Sequence, residues 1–134
     1  ELPYGDKRTF ALLSLIFPGF DLSRHFHVDH IYPQARFTKP QLRKAGIPED
    51  LVPEVADKAN RLANLQLLEG SINNQKRQKM PHDWYSQFKP DALARQQYLA
   101  GLEITDLPES LTDFTVFYEQ RRTALRARIV SALQ

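Results

Sequence analysis

The chain has 134 residues, 42% of them apolar and 25% charged, with a net charge of +2 and a pI near 9.0. That length points to one domain spanning 1–134, and that apolar fraction suffices for a packed core, which excludes a globally disordered chain. The absence of cysteine excludes a disulfide framework and a Cys-based zinc knuckle and fits an intracellular, cytoplasmic setting, while the slight basicity is a weak pointer to a polyanionic partner.

The sequence begins at Glu1 rather than at a methionine, so the expectation is a C-terminal piece of something longer. Next come Lys7 and Arg8 and the run "FALLSLIF" at 10–17. It has the outline of a signal peptide but is too short to span a bilayer and lacks a small-x-small cleavage site. It therefore reads as a buried helix over 7–17, with no membrane association. "HFHVDHI" at 25–31 reads as a strand. Thr38 as a cap and Pro40 in the first turn open a helix over 39–45, and another is expected over 50–62. "NLQLLE" at 64–69 is the second strand. Helices follow over 71–79, 81–88 and 90–100, with Ser71 as a cap and Pro81 and Pro90 at their starts. The last, over 113–133, carries Phe114, Phe117, Tyr118, Leu125, Ile129, Val130 and Leu133 on one stripe. Arg121, Arg122, Arg126 and Arg128 around it read as a solvated face rather than a DNA surface. The fold class is mainly α with a small two-stranded antiparallel hairpin and a helix as its core, at about 25–80.

Chemistry concentrates where the first strand ends. In "HVDHIYP" an Asp and a His stand side by side in an apolar run. Taken alone, Asp29 and His30 would be a structural hydrogen-bonded pair. A helix after Gly70, however, would bring Asn73, Lys76 and Arg77 to one face at i, i+3 and i+4. The carboxylate of Asp29 and the amide carbonyl of Asn73 would form a hard-oxygen site for Mg²⁺ or Mn²⁺, completed by water and substrate phosphate. Lys76 and Arg77 would hold a phosphodiester, with Lys79 as either a further phosphate contact or a solvated helix end. His30, neutral near pH 7, could take a proton from water. One carboxylate is too few for a two-metal site. Strand alternation sends neighbours to opposite faces, so the chain is expected to leave regular β geometry near Asp29, helped by Pro33. His25 and His27 read as exposed strand residues, and His82 and Asp83 as the first turn of a helix anchored by Trp84.

The ordered set "DHIYP", "NLQLL" and an N-x-x-K nine residues after the Asn of "NLQLL" resembles the HNH endonucleases, whose core is a ββα-metal fold. The longer stretch "NLQLLEGSINNQKRQKMPHDWY" is similar to the C-terminal HNH domains of GmrSD-like, DUF262-containing restriction and phage-defence proteins. The resemblance implies Asp29 and Asn73 as metal ligands, His30 as general base, and Asn64 as the residue bracing the loop that carries the base. It further implies DNA as substrate with little sequence preference, and a preceding nucleotide-handling sensor domain. Two departures stand out: there is no Cys-x-x-Cys zinc site to pin the core, and Asn73 replaces the final His, which favours a hard cation over zinc. The rival reading is a DNA-binding or regulatory module that keeps the ββα shape without the chemistry.

Overall fold

The computed structural model describes residues 3–18 and 25–134; the N-terminal Glu1 lies outside them. The first helix, α1 (Lys7–Ile16), is capped by Asp6, whose carboxylate accepts the backbone N–H of Arg8 at 2.9 Å. It buries Thr9, Leu13 and Ile16. "FALLSLIF" thus runs through an amphipathic helix and its C-cap, with Leu13, Ile16 and Phe17 buried and Phe10 and Leu15 exposed, and among the described residues no helix is long and apolar enough to cross a membrane.

Strand β1 (Phe26–His30) pairs antiparallel with β2 (Leu65–Glu69), and Asp29 stands directly opposite Gln66. The strands are neighbours in space but no tight hairpin joins them. Residues 31–64 lie between and carry α2 (Lys39–Lys44) and α3 (Val52–Lys58). Thr38 caps α2 as expected, and Gly46, at φ +95°, closes it, letting the Ile47 N–H reach the Leu42 carbonyl at 3.1 Å. The helix expected over 50–62 is shorter. Pro53 sets the start of α3, which a 3₁₀ turn at Glu49–Leu51 precedes, and a second 3₁₀ turn at Leu62–Asn64 leads into β2.

Helix α4 (Gly70–Lys76) follows β2 with no intervening loop, completing a ββα unit. It stops three residues before the expected end because Arg77 adopts φ 52°, ψ −124°, which no helix can continue. Then come α5 (Pro81–Phe88), α6 (Ala92–Gly101), capped by Asp91, and α7 (Phe114–Ala132).

The core lies between the sheet, α1 and α7. Leu65 and Leu67 of β2 are buried with Leu13 and Ile16 of α1 and with Phe114, Phe117 and Leu125 of α7. Two of the α7 arginines, Arg121 and Arg128, depart from a solvated face, while Arg126 is exposed. Arg121 is 1% exposed and donates to the carbonyls of Ala63, Leu65 and Leu102 at 3.1, 2.7 and 3.1 Å. Arg128 reaches Glu103, the Ile16 carbonyl and the Gly101 carbonyl. Guanidinium donors thus bond carbonyls at the ends of α1 and α6 and at the start of β2, which explains why the stripe carries charge at inward positions.

Candidate active site

The end of β1 is held from behind. Asn64, fully buried, uses its side-chain amide as a surrogate backbone: Oδ1 accepts the Tyr32 N–H at 2.9 Å, and Nδ2 donates to the carbonyls of Tyr32 and Ala59 at 3.0 and 2.9 Å. Tyr32 in turn packs edge-on against Phe114 and Phe117, and its hydroxyl donates to the Pro108 carbonyl at 2.6 Å. The two residues after His30 are thereby fixed to α7 and to the turn before β2, which sets the position of His30.

Asp29 faces the ββα helix. Its Oδ2 accepts from Gln66 Nε2 at 2.9 Å and pairs with Lys76 Nζ at 3.2 Å. Gln66 is itself held by the Tyr85 hydroxyl, which donates to its Oε1 at 2.7 Å. Lys76 also donates to the His30 carbonyl at 2.8 Å. Such a chain of bonds fixes the carboxylate in one orientation and leaves Oδ1 with no hydrogen bond among the described residues.

His30 is 9% exposed. Its Nε2 lies 2.8 Å from Asn60 Oδ1, and the Tyr4 ring packs on the imidazole at a centroid distance of 4.3 Å. Burial holds its pKa below the ordinary imidazole value; the Asn60 bond and the Asp29 charge oppose that shift, and Lys76 reinforces it. At neutral pH the ring is therefore an uncharged base.

Asp29 and His30 line one depression of about 510 Å³, walled by Pro33, Gln34, Ala35 and Thr38 on one side and by Arg77 and Gln78 on the other. The strand stays regular through His30 and the chain bends at 31–32, so the departure expected near Asp29 comes just after the pair rather than within it. The pair occupies the strand's last two positions, where both side chains still border the same opening. Asn73 is half-buried and, with the exposed Asn74, borders an adjoining depression that shares Arg77 and Gln78.

The shared helix face does not form. Lys76 points inward and is fully buried, so it is the ion-pair partner of Asp29 and not a group free to hold a phosphodiester. Burial lowers its pKa, and Asp29 opposes the shift. Arg77 has left the helix and is exposed beside the depression. Lys79 is half-buried, bonded to Gln87 Oε1 at 2.7 Å and set over the Trp84 ring. His25 and His27 are exposed, ring edge to ring face, at 4.5 Å.

Asn60, Gln66, Tyr85 and Tyr4 escape sequence reasoning. Gln66 alone leaves a signal, as a polar residue between Leu65 and Leu67 in a strand buried on both faces. The donors present suit a hard cation: one carboxylate oxygen of Asp29 without a hydrogen bond and the side-chain amides of Gln34 and Gln78 on the same depression, with no group of three His, Cys, Asp or Glu among the described residues. Such a set leaves most of the coordination to water and substrate and does not make a zinc site.

An antiparallel strand pair running directly into a helix, with a buried Asp-His pair at the strand end and an asparagine brace behind it, defines an HNH-type ββα domain. The chain belongs to the family of GmrSD restriction endonuclease C-terminal domains, whose model matches residues 7–126. No curated protein matches it.

Proposed function

We propose that this chain is a Mg²⁺-dependent endonuclease that hydrolyses DNA phosphodiester bonds, with Mn²⁺ able to substitute, and that it is the effector of a cytoplasmic restriction or anti-phage protein whose sensor domain precedes it. The observation that carries this reading is the Asp29–His30 pair on one open depression, with the second carboxylate oxygen of Asp29 free of hydrogen bonds among the described residues.

His30 takes a proton from water as the water oxygen attacks phosphorus and the bond to the leaving oxygen breaks. Asp29 and Asn73 would hold the cation, which supplies stabilisation of the charge on that leaving oxygen. Arg77, on the rim, neutralises a phosphate oxygen and keeps the scissile group over His30. Asn64 keeps the base in place through Tyr32. Incubation with supercoiled plasmid should give nicked or linear product with Mg²⁺ and none in chelator; binding without cutting under both conditions would favour a regulatory module instead.

A further inference from the structure

Asn60 engages two parts of the molecule at once. Its side-chain oxygen lies 2.8 Å from His30 Nε2 and also accepts from Gln34 Nε2 at 3.3 Å. Its backbone carbonyl accepts the Tyr4 N–H at 2.7 Å. The segment before α1 is anchored there, because Pro3 bridges to Arg61 and its carbonyl accepts the Thr9 hydroxyl at 2.7 Å. Tyr4 thereby lies with its ring against the His30 imidazole, tilted by 40°.

We infer that Asn60 and Tyr4 are positioning residues for His30: Asn60 holds the ring as the Nε2–H tautomer, so that Nδ1 is the basic nitrogen, and Tyr4 keeps the ring from turning away. This rests on the nuclease reading for its consequence in catalysis, though not for the geometry. A neutral imidazole has one donor and one acceptor nitrogen, and the partner of one decides the role of the other. The Asn60 atom that faces the ring also faces the amide donor of Gln34, so it is an oxygen, and a nitrogen bonded to it must carry the proton. Without that partner the two neutral tautomers interconvert and the ring is no longer held in one rotation, so Nδ1 is not kept in place as the basic nitrogen. Without Tyr4 the imidazole loses the surface that fixes its plane. The segment at residues 3–4 is therefore part of the catalytic apparatus although it lies far from Asp29 and His30 in sequence.

The test uses the ¹⁵N-labelled 134-residue chain near neutral pH, without added metal, and reads the His30 ring nitrogens by long-range ¹H–¹⁵N correlation, with His30→Ala identifying the resonance. The wild type should show Nε2 protonated and Nδ1 bare, and Asn60→Ala should show a mixture of tautomers. With Mg²⁺ and plasmid, Asn60→Ala should lower kcat on the order of 10²-fold with KM little changed. Tyr4→Ala should lower kcat about tenfold, and Tyr4→Phe, which keeps the ring, should restore it. A wild-type ring protonated on Nδ1 would overturn the inference whether or not the variants fold, as would an unchanged kcat in Asn60→Ala. A wild-type chain that never cuts DNA would instead bring down the nuclease reading, and the tautomer would still decide how His30 is held.

Discussion

Lysine and aspartate share a buried site at the end of β1, and this pairing determines what Asp29 can do. A buried carboxylate without a partner is strongly disfavoured; Lys76 and Gln66 together satisfy Oδ2 and leave only Oδ1 for a ligand. Asp29→Ala should therefore raise the Mg²⁺ concentration needed for half-maximal cleavage more than Asn73→Ala does, since Asp29 brings the only ligand charge. Asn74→Ala should leave the titration unchanged; the reverse order for the two asparagines would move the ligand to Asn74. The base makes a separate statement. His30 must be uncharged to accept a proton, and burial keeps its pKa below the ordinary 6.5. The rate of cleavage should thus be full at neutral pH and fall only as pH drops through a midpoint under 6.5. A pH–rate profile with its rising limb above 6.5 would remove His30 from the reaction.

Helix α4 shows how a single residue decides where an element ends. Non-glycine residues at φ near +50° with ψ near −124° are strained, at a cost of about 1–3 kcal/mol, and such strain collects at functional sites. Arg77→Gly should accordingly stabilise the fold by about 1 kcal/mol in denaturant titrations. The same change should reduce the slope of log DNA affinity against log salt by about one unit, because one phosphate contact is lost. Gain of stability without change in the salt slope would leave Arg77 as a strained surface residue only. The helix over 71–79 was legible in "SINNQKRQK" as a polar helical stretch, but its stop was not, because arginine carries no signal for a left-handed conformation. Lys76 was misread for a related reason. Spacing places it on a face, and only the tertiary position of Asp29 reveals that this face is inward.

Across the whole molecule, the elements and three neighbours in the candidate site, Asp29, His30 and Asn64, were legible in the sequence, whereas the buried polar framework was not. Asp29, His30 and Asn64 are local signals set in apolar runs, and the structure brings all three to one end of the sheet. Asn60, Tyr4 and Arg121 act through carbonyl and ring contacts between segments distant in sequence, which periodicity cannot encode. Arg121 in particular stays charged at neutral pH, although burial lowers its pKa to about 10, and ties α7 to the turn before β2. Arg121 and Arg128 are consumed in this way, which leaves fewer of the α7 arginines for the several side chains that base readout would need. Cleavage ends mapped by sequencing should therefore show little consensus; a strong motif would mean that some surface of this chain does enter a groove.

The proposed role of His30 is that of the base at a DNA-cutting site. Its most direct test compares wild type with His30→Ala on supercoiled plasmid in Mg²⁺, alongside DNA affinity and unfolding midpoint for both. Equal affinity, a folded variant and cleavage lowered by roughly 10²- to 10⁴-fold, the size of a general-base contribution, are expected. Wild-type turnover by a folded His30→Ala chain would contradict that role.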